Sequence, residues 1–390
     1  MLDLDAARAR LLAALPPAPT GAARVRLDVA AGRVLAGPLR APTDLPLFDR
    51  SLVDGYALGA NAPRRLPVAG AVAMGTGAPA LAPGTAVQVP TGAMLPAGTV
   101  AVVMQEHVRH AGGMLEVLRP PADGDNLVRR GADARRGAEV LPAGLRLRPE
   151  QVAMLATIGR REVAVRRRPR IAILSTGDEL VPAGGRTEPG QVPDSNGPAL
   201  AAALRRDGAV PVPLGIAPDR RASVAALVAR GLEADALICS GGSSVGAQDY
   251  VQDVLAQALG AEPVFSGLAL RPGRPTAVFI GGGRWAVALP GHAVSALVVY
   301  ELLLRDVVRL WGGERPVPPR GTLPLTLAAE VRAPADREFV ARVRIAGDRA
   351  VPLSGASAAI GNLSGADALV RCPAGDVLAA GAVVAALLLQ

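Results

Sequence analysis

A chain of 390 residues exceeds what one hydrophobic core holds, so two to four domains are expected. Half the residues are hydrophobic but only 2% are aromatic, so aliphatic side chains must build the cores. The net charge of +8 comes from arginines spread along a lysine-free chain, a dispersion unlike a nucleic-acid stripe; the densest run, RREVAVRRRPR (160–170), has none of the interleaved aromatics that base stacking requires.

The first residues, MLDLDAARAR, place Asp3 and Asp5 ahead of any apolar run, which does not fit a secretory signal. No apolar stretch reaches the roughly 20 residues that span a bilayer. Cys239 and Cys372 form no CxxC pair, so neither a zinc site of that type nor a disulfide framework is indicated, and a reducing cytoplasm is the expected location. Residues 38–130 are punctuated by Pro and Gly between short Val-rich runs such as GTAVQVP and TVAVVMQEHV, which predicts a small β domain. RPEQVAMLATIG (148–159) reads as a short helix ahead of the basic connector.

From residue 170 the pattern changes. RIAILSTGDEL opens with a buried strand; SNGPALAAALRRDGA follows as a helix, with Ser195 or Asn196 as its cap and Gly208 as its stop. VPVPLGIAPD is a second strand, RRASVAALVARGLE a helix capped by Asp219, DALICSGG a third strand and YVQDVLAQALG a third helix. PTAVFI and RWAVALP read as further strands, and AVSALVVYELLLRDVVRLWG as one long amphipathic helix. Short apolar strands alternating with helices predict βαβ units and a doubly wound, mostly parallel sheet. Residues 318–390 return to short strands between turns and predict a small barrel-like β domain, ending in the strand AVVAALLLQ. The expected division is a discontinuous connecting domain (1–37 and 131–168), a small β domain (38–130), an α/β domain (169–317) and a C-terminal β domain (318–390).

In open α/β sheets ligands bind beyond the carboxyl ends of the strands. The conspicuous polar loops are placed there: STGDEL (175–180), GIAPD (215–219), SGGSSVGAQD (240–249), LRPGRP (270–275) and LPGHAVS (289–295). Asp178, Glu179, Asp219 and Asp249 would gather at one rim, which is unfavourable unless a cation lies between them, and an all-oxygen donor set suits Mg²⁺. Ser175, Thr176 and Gly177 belong to the first of these loops. Gly241 and Gly242 let backbone N–H groups approach an anion, Ser243 and Ser244 add donors, and the next helix offers its N-terminus. Arg271 and Arg274 add full charges, and Pro290, His292 and Ser295 line the last loop. There is no GxxxxGK[ST] loop and no HExxH. GSSVG (242–246) also fits the G-x-S-x-G elbow of a serine hydrolase, with Ser244 as nucleophile and His292 as the one downstream histidine. A non-catalytic binding module using the same pocket is a further alternative.

Taken together, STGDEL, GGSSVGAQDY, LRPGRP and LPGHAVSA resemble the molybdopterin molybdenumtransferases, the MoeA and gephyrin E-domain family. FDRSLVDGYAL (48–58), PTGAMLPAGTVAVVMQE (90–106), ADARRGAEVLPAGLRLRPEQVAMLATIG (132–159) and LSGADALV (363–370) extend the likeness over nearly the whole chain. The resemblance implies a Mg²⁺-assisted enzyme that takes adenylyl-molybdopterin and molybdate, cleaves the pyrophosphate link and releases AMP. It also implies an elongated homodimer in which the FDRSLVDGYAL segment of one subunit faces the sheet domain of the other, and association with other molybdenum-cofactor biosynthesis proteins. Carried over by motif, Asp54, Thr91, Glu179, Asp219, Asp249 and Arg271 fall at functional positions. Departures from the commoner pattern are His292-Ala293 for Asn-Pro, Gly267 for lysine, and Arg274 where PGKP has lysine.

Overall fold

A computed structural model describes residues 1–19, 21–241, 247–353 and 360–389, residues 247–249 by their backbone alone. The chain divides into two units: residues 1–36, 144–148 and 162–390 form one, and residues 37–143 and 149–161 the other.

The larger unit begins with α1 (Leu4–Ala14), whose first turn is capped by Asp3 Oδ1 accepting from the Ala6 amide at 2.7 Å. Leu4, Ala7 and Leu11, spaced for one helix face, are its buried residues. Strand Ala22–Arg26 pairs antiparallel with Glu162–Arg166, so two stretches far apart in sequence close one ribbon.

The α/β core comprises β1 (Arg170–Thr176), α2 (Asn196–Arg206), β2 (Val210–Ala217), α3 (Arg221–Gly231), β3 (Ala236–Gly241), α4 (Ala247–Leu259), β4 (Pro263–Ser266), β5 (Leu270–Arg271), β6 (Ala277–Gly281) and β7 (Arg284–Leu289). The six-stranded sheet runs in the order β2-β1-β3-β7-β6-β4. Strands β2, β1, β3 and β7 are mutually parallel; β6 runs against both its neighbours. The β6–β7 hairpin turns through Gly282 and Gly283, both at positive φ, the geometry of a two-residue turn matched to sheet twist.

Alternation along β1 sorts the core into two layers. Ile171 and Ile173 face α2 and the C-terminal helices with Leu200, Leu204, Trp285 and Tyr300. Ala172 and Leu174 face the layer of Val224, Val228, Val254 and Leu255 from α3 and α4. Each fully buried Leu or Ile contributes about 1.5–3 kcal/mol.

Helix caps depart from the local reading. Neither Ser195 nor Asn196 caps α2 with its side chain; Asp194 does the work, its Oδ1 accepting from the Gly197 amide at 3.0 Å. Helix α3 starts after Arg220 with no side-chain cap, so Asp219 is not its cap. The long C-terminal helix is also interrupted: α5 (Ala293–Val299) and α6 (Arg305–Trp311) are joined by a π-helical turn, Tyr300–Leu304. The turn carries Tyr300, whose buried hydroxyl donates to Asp207 Oδ2 at 2.9 Å, a tertiary contact that the helical period does not encode.

Strands β8 (Thr322–Leu327), β9 (Glu338–Ala346), β10 (Arg349–Pro352), β11 (Ala368–Cys372) and β12 (Val383–Leu388) close a five-stranded barrel in the order β9-β10-β8-β12-β11 and back to β9. Its interior holds Leu325, Leu327, Val343, Ala350, Val370 and Ala386. Strand β5 adds to β9 from outside the ring, Leu270 opposite Glu338 and Arg271 opposite Phe339.

The smaller unit holds a four-stranded sheet in the order Val68–Ala71, Ala86–Val89, Gly55–Leu58, Ala101–Met104, and a three-stranded sheet of Arg65–Leu66, Met114–Val117 and Val108–Ala111. Gly55 is required by packing: a Cβ there would stand 2.0 Å from the Val103 carbonyl oxygen.

Candidate active site at the carboxyl end of the sheet

The strand registers decide which loops share an end of the sheet. Thr176 of β1 stands opposite Ala217 of β2 and Gly241 of β3, and Ser240 opposite Leu289 of β7. Ala277, which opens β6, stands opposite Ala288, and Ser266, which ends β4, opposite Ala277. The segments after Thr176, Ala217, Gly241, Leu289 and Ser266 therefore all leave from one rim. Every polar loop singled out in the sequence of the α/β domain begins there.

Beneath the rim lies a buried polar scaffold. Ser175 Oγ donates to Asp194 Oδ2 at 2.9 Å and lies 3.5 Å from Ser240 Oγ. Asn196 Nδ2 donates to the Gly291 carbonyl at 2.7 Å and so ties the start of α2 to the loop holding Pro290 and His292. Ser175, Thr176, Asp194, Asn196, Ser240 and Ser295 are all buried. Thr176 Oγ1 is buried without a hydrogen-bond partner among the described residues. Gly241 lies at φ +125°, and a Cβ would come within 2.1 Å of the Thr176 carbonyl, so only glycine lets β3 pass this close to β1. Asp194, Asn196 and Ser240 were not among the expected site residues. The signal for Asp194 and Asn196 was available in PDSNGPAL, a polar turn cluster placed just before a helix, and Ser240 opens the SGGSSVGAQD loop.

Above the scaffold the acids repel one another. The Asp219 amide donates to Asp178 Oδ1 at 3.0 Å, which brings two of the loops together. Burial raises the Asp219 carboxyl above its ordinary value, and the neighbouring charges of Asp178 and Glu179 push the same way. Asp178 and Glu179 are exposed. Among the described residues no three acids, histidines or cysteines stand close enough to enclose one metal ion. One or two carboxylates with the remaining positions held by water and phosphate oxygen is the donor set Mg²⁺ takes, so these acids fit it.

A recess of about 500 Å³ opens beside this rim, lined by Gly177, Asp178, Asp194, Pro198, Gly215 and Pro218. A larger one of about 920 Å³ lies between α1 and the barrel, away from the rim loops; its charged lining is already paired, Arg8 with Asp306 and Arg371 with Asp5 and Glu338. Arg271 and Arg274 are exposed on the β5–β6 loop and have no ion pair among the described residues. His292 is exposed at the start of α5, where its side chain makes no cap hydrogen bond. Gly242, Ser243 and Ser244 lie outside the described residues; Asp249 falls in the first turn of α4, and its side chain is likewise outside them.

Asp54 and Thr91 belong to the smaller unit. Asp54 Oδ1 accepts from the Thr91 amide at 2.7 Å and from Thr91 Oγ1 at 3.0 Å. These two bonds hold its carboxyl below the ordinary value, the amide contributing most. Both side chains are exposed.

Comparison with known proteins gives one consistent answer. Residues 2–159 match the family profile described as "MoeA N-terminal region (domain I and II)", residues 172–310 "Probable molybdopterin binding domain", and residues 324–389 "MoeA C-terminal region (domain IV)". The chain is 37% identical over 302 residues to a protein of Nostoc sp. named molybdopterin molybdenumtransferase, covering 74% of this chain and 69% of that one. A protein of the same name from Synechococcus elongatus is 34% identical over 401 residues, with 98% of each covered. Two crystal structures of the molybdopterin biosynthesis MoeA protein from Pyrococcus horikoshii superpose over the whole chain. Their TM-scores are 0.81 and 0.85 at 30% and 26% identity, and 99% and 100% of those chains are covered.

Proposed function

The chain belongs to the molybdopterin molybdenumtransferase (MoeA) family, a transferase family of molybdenum cofactor biosynthesis, and from that premise we propose how its rim works. Adenylyl-molybdopterin and molybdate meet at the carboxyl end of the sheet. Arg271 and Arg274 hold anionic oxygens of the substrate, as guanidinium forks do well. Backbone amides of the 241–244 segment, with Ser243 and Ser244, cradle phosphate, and His292, Pro290 and Ser295 close the far side. Asp249, Glu179 and Asp178 hold Mg²⁺, which supplies charge neutralisation to the pyrophosphate when bound. An oxygen of water or molybdate attacks phosphorus, the bridging P–O bond breaks, and its electron pair leaves with the departing phosphate. AMP is released, and the two thiol sulfurs of the pterin take the place of one molybdate oxygen, which leaves with their protons as water, so molybdenum ends on the dithiolene. No protein nucleophile is needed; positioning and fixed charge carry the rate.

The observation that supports this most is the shared rim: loops from five places in the sequence leave one end of the sheet, and two of them bring Asp178, Glu179 and Asp219 together there. The test is turnover of adenylyl-molybdopterin with molybdate and Mg²⁺, read as AMP. A non-catalytic carrier would bind the pterin and release none, and a serine hydrolase would show fluorophosphonate labelling lost in Ser244→Ala.

A homodimer with a shared site follows from the same reading, Asp54 and Thr91 of one subunit serving the rim of the other. The exposed apolar residues Leu47, Phe48, Leu52 and Met94, near Asp54 and Thr91 in sequence, support an interface there. No helix among the described residues is long and apolar enough to cross a membrane, and the site of action is proposed to be the cytoplasm.

A further inference from the structure

The opposite end of the sheet holds a second charged recess that the reaction does not use. It lies where β1 and β2 begin, Arg170 opposite Val210, and its wall includes Gly32, Arg33, Arg146, Arg166, Arg168 and Gly208. Its free volume is about 10 Å³, room for one occupant of water size.

The charges around it do not balance. Arg146 donates to Glu314 at 2.7 Å, but Arg309 also claims that carboxylate, at 2.6 Å. Arg167, also on the wall, is held by Asp235 at 2.8 Å. Asp207 is the one carboxylate on the wall, and its oxygens are engaged by Arg206 at 2.7 Å, Arg305 at 3.3 Å and Tyr300 at 2.9 Å. Toward Arg146 it presents only its main-chain oxygen, at 3.0 Å. Arg33, Arg166 and Arg168 have no ion pair among the described residues. Arg33 Nη2 donates to the Arg166 carbonyl at 3.1 Å, while its Nε is buried with no acceptor. Burial and the charge of Arg168 both disfavour the Arg33 cation. A half-buried guanidinium whose Nε is shut off from solvent without an acceptor is disfavoured beside like charges, and an anion offsets both the missing acceptor and the repulsion.

We propose that this recess is a structural halide site, with chloride as its ligand. The ion accepts from Arg33 Nε and neutralises Arg33 and Arg168. It thereby fastens the 32–34 and 166–168 segments and Arg146 to the turn between α2 and β2. A neutral water would satisfy the orphan donor and leave the charge; chloride, somewhat larger than water, requires the exposed Arg166 and Arg168 side chains to give way slightly, and the tetrahedral sulfate and phosphate would require far more.

The test uses the full chain at constant ionic strength, with sodium chloride replaced stepwise by sodium gluconate. The expected result is a saturable rise in the thermal midpoint with chloride, on the order of 2 °C at tenfold saturation. Arg33→Gln and Arg168→Gln should each lose more than half of that rise; Arg168 is exposed, so its replacement leaves the fold intact and keeps the test decisive if Arg33→Gln is unstable. A crystal soaked in bromide should show an anomalous peak beside Arg33 Nε. Equal midpoints in chloride and gluconate, an equal rise with sulfate, an undiminished rise in Arg168→Gln, or a recess without bromide would each overturn the proposal.

Discussion

The two ends of the central sheet treat acids in opposite ways. At the amino end Glu314 is buried and held by both Arg146 and Arg309, and Asp207 is buried under Arg206, Arg305 and Tyr300. At the carboxyl end burial raises the Asp219 carboxyl, and the exposed Asp178 and Glu179 beside it push the same way. One end pairs its carboxylates with arginines that hold segments together; the other, where the proposed substrate and metal would arrive, leaves its carboxylates without a cation among the described residues. The contrast predicts that substitutions at the rim remove turnover and spare stability, whereas those at the amino end do the reverse.

The sharpest test is Asp249→Ala. AMP release should fall by about 10³-fold or more, as when a transition-state electrostatic partner is removed, with the unfolding midpoint unchanged. An unaltered rate would remove the metal assignment. Next is Glu314→Gln, which leaves Arg146 and Arg309 without their shared carboxylate. Breaking a buried pair costs about 3–5 kcal/mol, so urea unfolding should shift by that much while kcat at low temperature persists. Arg271→Ala should lose a charged hydrogen bond of about 1.5–3 kcal/mol, read as a roughly 10- to 100-fold fall in kcat/KM. Asp194→Ala crosses the divide, because Asp194 both caps α2 and holds Ser175. A loss of about 1–2 kcal/mol in stability should come with slower turnover.

The smallest effect is in the pH profile. Arg309 and Arg146 overcome burial and hold the Glu314 carboxyl below its ordinary value. Its folded pKa is thus depressed, and the stability it brings is complete above the unfolded carboxylate range and is lost as pH falls through the folded value. Asp219, with a raised folded pKa, acts in the other sense: its contribution is best in acid and declines as pH rises past the unfolded value. Denaturation midpoints across pH 3–6 for Glu314→Gln and Asp219→Asn should bend in opposite directions from the parent.

What could be read from the sequence follows the range of the forces involved. The alternation Ile171, Ala172, Ile173, Leu174 and the helices between strands are local patterns, and the sheet, its polar loops and the terminal β domain were legible from them. Ser195 does hold the N-cap position of α2 but makes no side-chain cap bond, and Asp219 does not cap α3, because local preference treats Ser, Asn and Asp alike. Asp194 prevails through its bond to the buried hydroxyl of Ser175, nineteen positions away. The π turn carries Tyr300, which bonds Asp207 93 positions distant, a contact outside the reach of the local period. Glu314, in WGGERPVPP, is 2% exposed because Arg146 from a distant segment and Arg309 from the preceding helix close over it, and the first of these contacts has no local signal. Barrel closure rests on the β9–β11 pairing, which no single strand announces.

The short strand β5 belongs to the chain segment of one sheet and hydrogen-bonds into another. Because Leu270 and Arg271 lie along Glu338 and Phe339, the arginine loop is braced by the terminal barrel and does not hang free from the α/β core. A truncation after residue 317 would retain every rim loop in its sequence yet remove that brace. With Arg271 in its proposed role, anion capture should then weaken although no contacting residue had changed, and the C-terminal module would act as a mechanical support for the site.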